Sequence, residues 1–259
     1  MSNAVLSTRA IDAERIKLTT TRSPYWCVGI VAVLGIGVAV LFGLATHAGE
    51  GGGSDDLSVS AFSIGVTQLG VVVLMIMGVL SVTSEIRFGT LRTSFLAVPR
   101  RTSVLLSKAV VYGGLSLVVA FVVNLVGIVL GTVLSGESGD RFDLAGSDAI
   151  RAYWGVPVYV FFCVLVSIGV GALIRQSAGA IVVVLIWMLA LETVLANIPK
   201  VGPAVGPFLP FLNGQRIFES GSVGSVDFHW NAAGSGVYFA VVSVIVFVAG
   251  VVVTNRRDA

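Results

Sequence analysis

Six apolar runs, each long enough to cross a bilayer, constrain this chain more than anything else in it. A hydrocarbon core of about 30 Å needs about 20 helical residues at about 1.5 Å each. Residues 26–46, 61–82, 109–134, 152–174, 178–198 and 235–253 meet that length with 21, 22, 26, 23, 21 and 19 residues. Five runs contain no charged side chain, and the remaining one, 178–198, contains only Glu192. The runs are rich in Val and Gly, poor helix formers in water. In hydrocarbon, however, the backbone must satisfy its own hydrogen bonds, and helices do so. A closed barrel would need strands of about 10 residues with alternating polarity, which the runs lack. The expected fold is all-α and integral to the membrane, with six transmembrane helices.

Composition agrees. Charged residues make up 12% of the chain, half the roughly 25% that coats a soluble domain. That excludes a soluble enzyme, a secreted disulfide scaffold and a disordered protein. Sixteen bases against fourteen acids leave +2, too near neutral for a nucleic-acid partner. Cys27 and Cys163 lie inside apolar runs and read as small buried hydrophobes. His47 and His229 are far apart with no Cys nearby, so no metal site is expected. The first run follows 25 residues that include Asp12 and Glu14, and it is longer than a signal core of about 7–15 residues. It reads as a retained span.

Basic residues collect on the cytoplasmic side of membrane proteins. Alternate connecting pieces, starting with the N-terminal one, hold twelve Lys or Arg and four acids. The opposite face holds four bases and nine acids. Both termini are therefore expected in the cytoplasm. This divides the chain into an N-terminal amphipathic segment (1–25), a six-span domain (26–253) and a short tail (254–259). In the first segment Ile11 and Leu18 recur seven apart with Asp12, Glu14, Arg15 and Lys17 between them, a pattern that suits a helix lying in the headgroup plane.

The crossover between spans two and three, residues 83–108, is the most informative. Phe88, Leu91 and Phe95 fall on one helical face, with Glu85, Arg87 and Arg92 elsewhere around it, until Pro99 stops the pattern. An ordinary loop that sets topology explains the arginines but not Glu85, Gly89 or the aromatic stripe. A short amphipathic helix that takes force from a soluble partner accounts for all of them.

Glu85-Ile86-Arg87-Phe88-Gly89-Thr90-Leu91-Arg92, then Pro99-Arg100-Arg101 and Lys108, resembles permeases of type-2 ATP-binding-cassette (ABC) transporters, especially bacterial and actinobacterial ones. Glu14-Arg15-Ile16-Lys17-Leu18 with Thr21-Arg22-Ser23, and Leu191-Glu192 before a Pro-rich segment, resemble that family's opening motif and fifth span. The resemblance implies a plasma-membrane exporter subunit working with cytoplasmic ABC ATPases and a second permease chain. Glu85, Arg87, Phe88, Gly89, Thr90, Leu91, Arg92, Arg100 and Arg101 would form the coupling element, with the N-terminal helix braced beside it. This chain has no Gly-x-x-x-x-Gly-Lys-Ser/Thr phosphate loop. ATP and Mg would therefore belong to the partner, with no cofactor or catalytic residue here.

Glu192 lies six residues from the end of its span, about 9 Å deep. Three readings are open: it snorkels, stays protonated, or hydrogen-bonds the exposed backbone of the Pro-rich segment that follows. It is the candidate outer-gate residue. An ion- or proton-coupled carrier, the alternative function, would make it essential. Asn124 and Gln68 are expected to bond across helices, and Gly127 and Gly131 to let helices of this same chain approach closely.

Overall fold

The computed structural model describes residues 8–49, 58–88, 101–219 and 226–257. Every apolar run is helical apart from Ile198, one residue past the end of the fifth helix, and each helix begins before the run that predicts it. Helix α1 (Thr8–Thr20) precedes the spans. The first four spans are α2 (Ser23–His47), α3 (Val59–Arg87), α4 (Arg101–Leu134) and α5 (Ser147–Ile174), and the fifth is α6 (Ser177–Asn197). Two short helices, α7 (Gly202–Val205) and α8 (Pro210–Gln215), precede the sixth span, α9 (Ala232–Arg257). No strand occurs among the described residues. Six crossings return the chain to the face on which it started, so α1 and the end of α9 share one face.

Helix α5 is the hub. It packs against α3, α4, α6 and α9, and 72% of its most apolar stretch is buried, against 22% for α2 and for α6. Without a hydrophobic drive between helices in lipid, close approach depends on small residues. A Cβ on Gly43 would come within 2.5 Å of the Gly131 carbonyl, and one on Gly131 would collide with the Phe62 ring. Gly127 faces Ala39 of α2. The small-residue face of α4 is thus used inside the chain, as expected. Asn124 donates to the Ala152 carbonyl at 3.0 Å and so joins α4 to α5. Gln68 departs from expectation. It stands on the exposed side of α3 and makes no cross-helix bond among the described residues, because a half-turn of rotation separates lipid-facing from helix-facing positions of similar composition.

Two spans are wound more loosely over one turn. A π-helical segment runs from Gly65 to Gly70 in α3, and another from Trp187 to Leu191 in α6. Such turns are rare and concentrate near functional positions. The second ends immediately before Glu192.

The crossover is shorter than its composition suggests. Helix α3 continues through Arg87 and α4 begins at Arg101, so Glu85 and Lys108 belong to the ends of spans rather than to a loop. Gly89, Thr90, Leu91, Arg92 and Arg100 lie outside the described residues, as does the side chain of Arg101.

Candidate coupling site and outer cap

Four charged side chains from three helices meet where α1 crosses the ends of α3 and α4. Lys108 is 1% exposed and Glu14 is 3% exposed, a burial that charges tolerate only when paired. The Lys108 ammonium donates to both Glu14 oxygens, at 3.1 and 3.0 Å, and to Glu85 Oε1 at 2.7 Å. Lys17 closes the ring from the rim, donating to Glu85 Oε1 at 2.7 Å and to Glu14 Oε1 at 3.0 Å. Two acids and two bases leave no net charge. Burial pulls the Lys17 pKa down, but hydrogen bonds to Glu85 and Glu14 outweigh it, and the net shift is upward.

The local sequence explains why these residues converge. Ala10, Glu14 and Lys17 are spaced four and three apart, so they share one face of α1. That face packs on α4. Ile16, on the opposite side, is 60% exposed. The apolar seam of Ile11 and Leu18 is only half-buried, so the centre of the docked face is polar. Of the residues expected to take force, Glu85 sits inside this cluster. Arg87 and Phe88 are exposed beside it, with the Arg87 guanidinium over the Phe88 ring at 5.8 Å. Glu14, Lys17 and Lys108 were not among the expected site residues, although all three fall in the stretches that carry the family resemblance.

The other end of the molecule is closed by a second polar construction. Glu192 is 1% exposed and accepts the backbone N–H groups of Phe211, at 3.1 Å, and Leu212, at 2.9 Å. Pro210 begins α8, and the first turn of a helix has no internal acceptors for its N–H groups. A carboxylate 19 residues upstream supplies them. Of the three readings open for Glu192, the structure adopts the backbone-bonded one. Beside it, Asn213 is buried and donates to the Pro207 and Leu209 carbonyls, while Trp230 donates to Asn213 Oδ1 at 2.9 Å. Arg216 reaches the Trp230 carbonyl and Ser235. Arg151, on α5, reaches the carbonyls of Arg216 and Glu219. The segment after the fifth span is therefore a pinned cap over the aromatic cluster of Tyr159, Phe211, Phe218 and Phe239.

The cluster's carboxylates are engaged by ammonium groups, and Glu192 by backbone. The four-charge cluster joins the N-terminal helix, the second span and the third span at one buried point.

Comparison with known proteins bears on this arrangement. The family described as "ABC-2 family transporter protein" matches residues 10–190, which is 181 of 259 residues, from α1 into α6. No curated protein and no solved structure matches the chain. The matched segment holds all four residues of the charge cluster and ends two residues before Glu192. Six membrane-length helices and that match together make this chain a multi-pass membrane protein of the ABC-2 transporter family, the membrane-spanning component of an ABC transporter.

Proposed function

We propose that this chain is the permease of an ATP-driven exporter in a bacterial plasma membrane, with both termini in the cytoplasm. Two ATPase subunits, which carry the ATP and Mg, press on the crossover between α3 and α4. A second permease chain completes the pathway. Glu85, Arg87, Phe88, Gly89, Thr90, Leu91, Arg92, Arg100 and Arg101 receive the stroke. Glu192 holds the outer cap that the stroke opens.

The observation that carries this reading is the buried ring of Glu14, Lys17, Glu85 and Lys108. Separating opposite charges costs far more in a low-dielectric interior than in water. Displacement of the crossover therefore moves the end of α3, the start of α4 and all of α1 as one body. A loop that merely set topology would have no use for such a joint. A proton-coupled carrier would want Glu192 free to exchange its proton, whereas here it accepts two backbone hydrogen bonds.

The test is co-expression with the partner ATPase. Glu85→Ala and Arg92→Ala should leave a folded chain that still co-purifies with the ATPase but no longer stimulates hydrolysis or supports export. If both variants transport normally with full stimulation, the coupling assignment fails.

A further inference from the structure

The outer end of the molecule carries a feature that coupling leaves unused. A groove of about 690 Å³ lies between α5 and α9, lined by Val158, Phe162, Ile217, Val237 and Ala240, with Arg151 and Asn231 also on its wall. Arg151 stands in the first turns of α5 and Asn231 immediately before α9. The polar end of the groove is therefore the end at the membrane face opposite the termini. From Arg151 to Phe162 is eleven residues, a rise of about 16 Å into the bilayer. The groove opens sideways: Val237 on its wall is 65% exposed.

Arg151 keeps donors to spare at that mouth. Arg151 spends one nitrogen, Nη2, on the carbonyls of Arg216 and Glu219, at 2.7 and 3.2 Å. A guanidinium has five N–H donors, and those on Nε and Nη1 have no protein acceptor among the described residues. The Arg216 guanidinium is near enough that, after burial, the charge of Arg151 is what lowers its pKa. Among the described residues neither guanidinium forms a salt bridge with a carboxylate; the ion pairs are those of the cluster at the other end. Asn231 Oδ1 caps the backbone N–H of Gly234 at 2.8 Å, which leaves its amide donors for the same mouth.

We propose that this groove holds one anionic phospholipid of the leaflet opposite the termini, its acyl chain along Val158, Phe162, Val237 and Ala240 and its phosphate on Arg151 and Asn231. Bulk lipid would cover an apolar surface equally well with any headgroup. The Arg151 guanidinium and the Asn231 amide, both on the groove wall, select a negative one, and Arg with its planar fork suits a phosphate. The groove's α9 wall lies outside the segment matched to the family. The proposal requires only that the chain spans a bilayer, so it stands or falls separately from the coupling assignment.

The experiment reconstitutes the full chain in nanodiscs of equal phosphatidylglycerol and phosphatidylcholine, then reads the lipids retained on release by native mass spectrometry. The parent should retain phosphatidylglycerol preferentially. Arg151→Gln should lower that preference about tenfold, the worth of one charge-assisted hydrogen bond, and Arg151→Lys should keep most of it. Ala240→Phe, which fills the groove and leaves each Arg151 bond in place, should lower retention of the bound lipid whatever its headgroup. An unchanged headgroup ratio in a folded Arg151→Gln chain overturns the proposal. So does full retention in Ala240→Phe, which decides the matter should Arg151→Gln fail to fold.

Discussion

Replacing Lys108 by Met removes the most buried member of the charge ring while keeping its length and apolar stem. The parent holds two carboxylates against two ammonium groups. The variant holds the same two carboxylates against Lys17 alone, with Glu14 3% exposed. Removing one partner of a buried ion pair costs about 3–5 kcal/mol, because a charge is left uncompensated. Lys17 already bonds both acids at 2.7 and 3.0 Å and blunts the loss, so the lower end, about 3 kcal/mol, is expected. For a chain of this size that is a fall of about 6–12 °C in melting temperature, readable by fluorescence-detected size-exclusion after a heat step. Lys17→Met is the internal comparison. Its side chain is 42% exposed, so its pairs count as half-solvated and its loss should cost about 1 kcal/mol or less. Adding Glu14→Gln to Lys108→Met removes the stranded charge and should recover part of the loss, a positive coupling in a double-mutant cycle. A Lys108→Met chain that melts with the parent, or a Lys17→Met chain that loses as much as Lys108→Met, refutes the buried-ring reasoning.

Four further outcomes are expected. Glu192→Leu orphans the N–H groups of Phe211 and Leu212 at about 1–3 kcal/mol each, so amide exchange at those two positions should accelerate while Val184 in the same span is unaffected; unchanged exchange there contradicts the capping role. Gly43→Ala should destabilise by about 1–3 kcal/mol through overpacking, whereas Gly29→Ala, where an added Cβ meets nothing within 4 Å, should be neutral or mildly stabilising; equal melting temperatures for the two would show that α2 and α4 do not meet at Gly131. Because the folded-state Lys17 pKa is raised above 10.5, its contribution is complete below that value and lost as pH climbs through the folded pKa. The gap between parent and Lys17→Met should therefore hold steady from neutral pH to about 9.5 and close only above 10.5; a gap that closes near neutrality reverses the sign. Asn124→Leu, which abandons the Ala152 carbonyl, should cost about 0.6 kcal/mol, the average for bonds between membrane helices, and a melting curve identical to the parent's would remove α4–α5 bonding from the account.

The spans were legible because length alone decides them: a run of about 20 apolar residues has one stable fate in lipid. Which side of each helix faces protein was much less legible, since lipid and neighbouring helices accept the same residues; Gln68 is the instance. The charge ring left only half a trace. Glu14 and Lys17 look like the solvated face of an interfacial helix, and their partners lie 68 and 94 residues away, a separation that no periodicity records. Lys108 at the start of an apolar run was the available sign, because an ammonium there must find acids or snorkel. Glu192 was more readable. A lone carboxylate in a span followed by a Pro-broken apolar segment has nearby backbone N–H groups in need of an acceptor, and those are the groups it binds.

The most direct measurement places a single cysteine at Arg92, with Cys27 and Cys163 replaced by serine, and joins it to the co-expressed ATPase with a short bifunctional reagent. A crosslink whose yield changes when ATP is bound is the expected result, with the same cysteine closed to membrane-impermeant reagents added outside intact cells. Labelling of that position from the outside, or a chain that exports at full rate with no ATPase attached, would contradict transmission through the crossover.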